Sequence, residues 1–270
     1  MKRLAFAIVA LALMACHGSA PARQKAGPSV LNSFKPPYLS EKLAGQQYTI
    51  YESKSDGPVV VILHEGPGML YEDIRFGQIV ASKGFKVYMP LMFGKVGERS
   101  STNLLRACTR AGFHCFRNRP AAILDWLHPF VDSVSHGKPA AVIGMCLSGN
   151  VPLAMLDDPN VRVAVMSQPA LPMTSKAALG VTDAQVSAAR AAIKNGAALL
   201  YFRFKADTIS PQQRLDAFKK LIPEIEEHQL PSARHGAHSV LGLEYVDDPK
   251  DPSNQAAQRT IAVLKEHLDS

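Results

Sequence analysis

The sequence predicts an α/β fold, an open and mostly parallel sheet with helices on both faces, and three features carry that prediction. Short apolar runs alternate with amphipathic stretches from Ser40 onward. The most apolar of these, Val59-Val60-Val61-Ile62-Leu63, is too short for a helix and suits a strand covered on both faces. Turn residues punctuate the alternation at Asp56-Gly57, Gly84, Pro90 and Asn195-Gly196. In such sheets the ligand site lies beyond the carboxyl ends of the strands, so the residues that follow each run are where chemistry is expected.

Taken in order, Tyr48-Thr49-Ile50-Tyr51 reads as an outer strand, and 59–63 as the first buried one. A helix over 71–83 stops at Gly84, and 85–89 forms the next strand before Pro90. Ile123, Leu124, Leu127, Phe130, Val131 and Val134 recur at helical spacing, with Pro129 expected to kink or split that helix. Strands follow over 140–143 and 161–165. Thr182 and Gln185 have capping-box spacing ahead of an alanine-rich helix that ends at Asn195-Gly196. A strand over 197–204, a helix opened by Ser210-Pro211 and closing near Leu221, and a last helix over 254–268 complete the pattern.

The chain has 270 residues, and at about 150 residues per domain that allows one large domain or two small ones. No internal repeat or interior linker interrupts the alternation, so a single domain over 41–270 is expected. Its 47% hydrophobic and 20% charged content fits a packed globular protein rather than a disordered one. The net charge of +7 is spread without a dense basic block, which argues against a nucleic-acid partner.

The N-terminus carries a different signal. Lys2 and Arg3 precede an uncharged apolar run, Leu4 to Ala15, too short to span a bilayer comfortably. This pattern marks a secretory signal, and Leu13-Met14-Ala15-Cys16 resembles a bacterial lipobox in which Cys16 takes the lipid. Ala20-Pro21-Ala22 offers an ordinary cleavage site as the alternative. Residues 1–15 are thus expected to be a signal peptide and the proline-bearing residues 16–40 a tether. The expected place is outside the cytoplasm, in the periplasm or held at a membrane only by that anchor.

Export permits a disulfide, and Cys108 and Cys115 are close enough in sequence to form a loop staple, the alternative being two half-buried thiols. They lack C-x₂₋₄-C spacing and a second pair, so no zinc site is expected.

Cys146 stands apart, in Ala140-Ala141-Val142-Ile143-Gly144-Met145-Cys146-Leu147-Ser148-Gly149-Asn150. A strand here runs into a tight turn that opens a helix, as in the nucleophile elbow G-x-S-x-G, with cysteine as the nucleophile and the second glycine displaced by one. The helix dipole and backbone N–H groups at such a turn favour a thiolate; the plain alternative is a buried cysteine beside an ordinary turn. Asp207 follows the 197–204 strand, and His238 lies in Arg234-His235-Gly236-Ala237-His238-Ser239, ahead of the last helix. Nucleophile, acid and histidine thus come in the order of an α/β-hydrolase triad, with His235 a rival for the base. Gly66, in Leu63-His64-Glu65-Gly66-Pro67-Gly68, and Leu147 are the candidate backbone donors of an oxyanion hole.

With these motifs in place, the chain resembles the dienelactone hydrolase family of the α/β-hydrolases over roughly 45–268, most strongly at Gly144-Met145-Cys146-Leu147-Ser148-Gly149. The resemblance implies a Cys-Asp-His triad of Cys146, Asp207 and His238. It also implies that Glu65 interacts with the cysteine and helps generate the thiolate when substrate enters. Family members specific for dienelactone hold the substrate carboxylate with arginines, one of them shortly after the histidine, whereas Ser239-Val240-Leu241-Gly242-Leu243 contains none. Lys95 is either a positive charge near the other expected place or a solvated loop lysine. Dienelactone itself is therefore not the expected substrate.

The expectation is a hydrolase of small carboxylic esters or lactones working through an acyl-enzyme and needing no metal or organic cofactor. No dinucleotide-binding fingerprint is present. The sequence leaves open a thioesterase or acyltransferase with the same triad, a non-catalytic envelope protein on a hydrolase scaffold, and the oligomeric state.

Overall fold

The computed structural model describes residues 25–109, 112–232 and 236–269. Eight strands form one sheet in the order β1-β2-β4-β3-β5-β6-β7-β8. These are β1 (Tyr38–Leu39), β2 (Thr49–Glu52), β3 (Val59–Leu63), β4 (Lys86–Leu91), β5 (Ala140–Met145), β6 (Val161–Ser167), β7 (Ala198–Phe204) and β8 (Glu226–Leu230). β1 pairs antiparallel with β2, and β2 antiparallel with β4. All the other pairings are parallel. The helices that follow are α1 (Tyr71–Ala81), α2 (Ser101–Thr109), α3 (Leu124–Ser135), α4 (Val151–Ala154), α5 (Asp183–Lys194), α6 (Gln212–Leu221) and α7 (Pro252–Leu268).

Alternation along the central strands divides the core into two layers. Val59, Val61 and Leu63 of β3 join one layer, and Val60 and Ile62 the other. β5 does the same, with Ala140 and Val142 on one side and Ala141, Ile143 and Met145 on the other. Burial of each large aliphatic side chain contributes roughly 1.5–3 kcal/mol, and these two strands are buried along their whole length at the centre of the sheet.

The structure departs from the sequence reading in four places. Of the kink or split expected at Pro129, the split does not occur: α3 runs unbroken through it, because Trp126, Leu127, Phe130 and Val131 are all buried and their packing outweighs the lost backbone hydrogen bond. A short α2 occupies 101–109, where no helix was expected. β8, Glu-Glu-His-Gln-Leu, lies at the sheet edge, where half-burial asks for neither an apolar run nor alternation. The fourth departure concerns the N-terminal segment.

Residues 1–24 lie outside the described residues, and with them the expected signal peptide, Cys16 and the start of the expected tether. The rest of the expected tether does not stand off the domain. Pro28–Ser33 form a 3-10 turn, Val30 and Phe34 are buried in the core, and the chain then supplies β1. Two apolar residues one helical turn apart provide the adhesion, and Phe34 lies over Gly77 of α1, where an added Cβ would come within 3.3 Å of its ring. The domain therefore begins before Ser40, and β1 rather than β2 is its outer strand.

Cys108 and Cys115 are joined in a disulfide with their Cα atoms 5.4 Å apart. The Cys115 carbonyl accepts the Met173 N–H at 2.7 Å, so the bridged segment is tied to the loop that follows β6.

Phe34→Ala should lower stability by about 3 kcal/mol, the usual cost of deleting a buried aromatic ring. Urea unfolding of the variant checks this, and a chain begun at residue 41 should lose at least as much.

Candidate active site

Every residue singled out for chemistry in the described segments sits at the carboxyl end of a parallel strand, or in the loop that follows one. Cys146 follows β5, Glu65 and Gly66 follow β3, Asp207 follows β7, and His238 lies in the loop after β8. His235, the rival base, lies outside the described residues.

Cys146 takes φ of +56°, a left-handed conformation that L residues other than asparagine and aspartate seldom adopt. The surroundings impose it. A Cβ on Gly144 would collide with the Ser148 carbonyl oxygen, and one on Gly149 would lie 2.7 Å from Pro169 Cα, so both glycines are required for the chain to turn this tightly. Ser148 accepts the Met145 N–H at 3.0 Å, and its hydroxyl lies 3.1 Å from the Leu63 carbonyl and 3.2 Å from the His64 carbonyl. The hydroxyl thereby pins the elbow to the end of β3. The Cys146 carbonyl accepts the Ala170 N–H at 2.8 Å, and the side chain is buried and free of disulfide.

Asp207 and His238 meet through a 2.7 Å hydrogen bond from His238 Nδ1 to Asp207 Oδ2. The other carboxylate oxygen accepts the Ile209 and Ser210 N–H groups at 2.8 and 2.9 Å, which fixes the plane of the acid. Arg203 of β7, fully buried, donates to the carbonyls of Lys205, Asp207 and Ser210 and so holds the acid's loop. The second ring nitrogen of His238, Nε2, is buried and makes no hydrogen bond among the described residues, which leaves it to the Cys146 sulfur. Burial by itself would lower the His238 pKa, but the charge of Asp207, the electrostatic influence of Cys146 and the Asp207 hydrogen bond outweigh it and raise it well above the usual imidazole range.

Gly66 and Leu147 are neighbours: a Cβ added to Gly66 would lie 3.5 Å from Leu147 Cβ and 3.5 Å from Leu104 Cδ1 of α2. The two residues that carry the candidate amides are thus neighbours, with Leu104 of α2 packed against Gly66.

Glu65 is buried, and its Oε1 accepts from the Ser239 hydroxyl at 2.5 Å and from Gln168 Nε2 at 2.9 Å, rather than from the Cys146 thiol. Gln168, at the end of β6, also accepts the Val240 N–H at 3.2 Å. The loop carrying His238 is therefore fastened at the residues just after it to the ends of β3 and β6.

The sequence matches the model of the dienelactone hydrolase family over residues 46–267. The chain belongs to the dienelactone hydrolase family. Membership makes it a hydrolase of carboxylic esters. Among curated proteins none matches its sequence. Similar solved structures include a candidate dienelactone hydrolase from Klebsiella pneumoniae subsp. pneumoniae, 13% identical with a TM-score of 0.58, the match covering 86% of this chain and 100% of that one. An esterase from Pyrococcus furiosus is 12% identical with a TM-score of 0.58, covering 93% and 100%. A cold-adapted esterase from an Arctic intertidal metagenomic library is 14% identical with a TM-score of 0.55, covering 91% and 98%. At these identities the structures establish a shared α/β-hydrolase fold.

Within that family fold, this chain surrounds its glutamate with a second buried acid. Asp73, in the first turn of α1, is fully buried, with Oδ2 accepting the Leu70 N–H at 2.9 Å and Oδ1 without a partner among the described residues. A Cβ on Gly242 would lie 2.8 Å from Asp73 Oδ1 and 3.3 Å from Glu65 Oε1, so both acids open towards the same glycine. Burial raises the pKa of Glu65, opposed by His238, the Ser239 hydrogen bond and Arg99, while Glu244 adds to the rise. Burial and then the Glu65 charge push Asp73 well above the usual carboxylate range, Glu72 adding and the Leu70 N–H and Arg99 opposing. Lys95 is exposed, whereas Arg99, farther along the same loop, is the cation whose charge reaches the two acids.

Several residues that build the site went unread in the sequence. Ser148 lies inside the elbow motif, and small polar residues there are its only signal. Asp73, Gln168 and Arg203 have none, because nothing local says that an acid on a helix, a glutamine after a strand or an arginine within one will turn inward.

The raised Asp73 sets a pH dependence. The folded state holds a proton that the unfolded chain gives up near pH 4, so stability falls as pH rises from there through the folded value. Asp73→Asn, which resembles the protonated acid, should flatten that fall and be the more stable protein at about pH 8, by roughly 1.4 kcal/mol for each pKa unit removed. Urea unfolding of both proteins at about pH 5 and about pH 8 measures the difference.

Proposed function

We propose that the chain hydrolyses small carboxylic esters or lactones through an acyl-enzyme formed on Cys146, with His238 as the base and Asp207 as its orienting acid. The observation that carries this reading is the hydrogen bond between His238 Nδ1 and Asp207 Oδ2, with the opposite ring nitrogen left to the strained cysteine.

In that reaction the thiol proton passes to His238 Nε2, whose raised pKa favours holding it, and the sulfur attacks the ester carbonyl. The Asp207 carboxylate keeps the proton on Nδ1 and stabilises the imidazolium that forms. Negative charge collects on the carbonyl oxygen, where the Leu147 and Gly66 N–H groups receive it. The intermediate collapses as His238 passes its proton to the departing alkoxide. Water then enters, loses a proton to His238 and releases the acid, and the thiol is restored. Glu65, bound to Ser239 and Gln168, acts here on the placement of the histidine loop. Its family role of drawing the thiolate out would require it to leave those partners.

Hydrolysis of short-chain aryl esters should disappear in Cys146→Ala. In Asp207→Asn, kcat should fall by at least about a hundredfold, the low end of what a positioned acid–base group contributes. Steady-state kinetics on the two variants measures both, and a fully active Cys146→Ala protein would overturn the reading.

We also propose that the chain is exported and carries lipid on Cys16. The run Leu13-Met14-Ala15-Cys16 supports this, and the Cys108–Cys115 bridge suits an oxidising compartment. The mass of the mature protein should show residues 1–15 removed and a lipid gained.

A further inference from the structure

His64 is a buried histidine that the mechanism above does not use. Its two ring nitrogens are committed. Nε2 accepts the Met92 N–H at 3.0 Å, so the ring proton resides on Nδ1, which lies 2.9 Å from the Glu65 carbonyl oxygen and donates to it. Burial drives the pKa down to about 4, against the Glu65 hydrogen bond that raises it, so the ring is neutral and this tautomer is the working one. Phe93 packs edge-on against the ring, with centroids 4.6 Å apart, and holds its plane.

The Glu65 carbonyl and the Gly66 N–H are two ends of one peptide group. We infer that His64 is a positioning residue for the oxyanion hole, orienting and polarising the peptide whose N–H is the Gly66 donor. The chain of donors runs from Met92 N–H through the imidazole to the Glu65 carbonyl, and from Gly66 N–H to the substrate oxygen. Each bond in such a chain strengthens the next, most of all in a site closed to water. The Gly68 N–H also donates to the Glu65 carbonyl, at 3.2 Å, so the peptide is held from two sides, and His64 is the side with an imidazole dipole behind it. Ser148 binds the His64 carbonyl, so the hydroxyl that pins the elbow also steadies the residue that aims the opposite donor. The inference rests on the acyl-enzyme reading and deepens it.

The test separates chemistry that passes through an oxyanion from chemistry that does not. Ester hydrolysis does; alkylation of Cys146 by iodoacetamide, in which sulfur displaces iodide, does not. In His64→Phe, kcat for an aryl ester should fall about tenfold at unchanged KM, less than the hundredfold or more lost with a donor itself. Butyraldehyde should bind more weakly by the same factor. Its carbonyl takes the sulfur on carbon, and the thiol proton passes through His238 to oxygen, so the product places an oxygen in the hole. Alkylation should stay within about twofold of wild type, and His64→Gln, which keeps a donor and an acceptor, should recover most of kcat. A folded His64→Phe protein with unchanged kcat, or one in which alkylation falls in step with hydrolysis, overturns the inference.

Should the variants fail to fold, the wild-type protein decides. Its His64 Nδ1–H proton resonance should move downfield when butyraldehyde binds, and an unmoved resonance overturns the inference. A wild type that alkylates but neither binds aldehyde nor hydrolyses esters would instead remove the acyl-enzyme reading.

Discussion

Cys146 holds a backbone conformation that costs on the order of 1–3 kcal/mol, and much of the rest of the structure is arranged so that it can. β5, buried on both faces, delivers the chain to the turn; Gly144 and Gly149 remove the side chains that would block it; Ser148 ties it to the next strand. The strain has a chemical outcome. A cysteine in this conformation points out of the sheet towards the histidine loop, and its own carbonyl is taken by Ala170, so the elbow is fixed from both sides. The proposed nucleophile thus sits at the end of a strand buried on both faces, where its geometry is held from several sides.

Around the elbow, burial and charge are set against each other. Glu65, Asp73, Asp207, His238, Arg203 and Arg214 are all nearly inaccessible to water. Each would be costly to bury alone, and each is placed where specific partners offset that cost. Arg203 and Arg214 are surrounded by carbonyls: Arg214 donates to those of Pro169, Pro172, Ser175, Ala178 and Ile209 and so binds the loop after β6 to the loop of the acid. Glu65 has two donors, and Asp73 resolves its burial by favouring the protonated form. The acids and bases of this site differ in environment rather than in type, and the environments separate their roles.

Local pattern was enough to read the buried strands and the long helices, since β3 and β5 are covered on both faces and α5 is opened by its own capping box. It was not enough at the margins. β8 is polar because an edge strand buries little, and α2 is a nine-residue helix set among loop residues. The prolines of 16–40 suggest free chain, while Val30 and Phe34 within that stretch are core residues. Pro129 signals a kink or a split, and the aromatic side chains on either side of it keep the helix unsplit. At the N-terminal segment the deciding contact comes from a residue distant in sequence, Gly77 of α1 beneath Phe34.

The sequence by itself determined the fold class, the strand-to-turn run around Cys146 and the chain order of Cys146, Asp207 and His238, because these depend on periodicity and on residues adjacent in the chain. Only the tertiary structure decided that His238 bonds Asp207, that Glu65 faces Ser239 and Gln168, and that Asp73 shares its surroundings. Only there did His64 prove to hold the peptide of Gly66. The reason is physical: a side chain's partners and its charge state are set by what surrounds it in a medium of low dielectric, and those neighbours are assembled from the ends of strands that lie far apart along the chain.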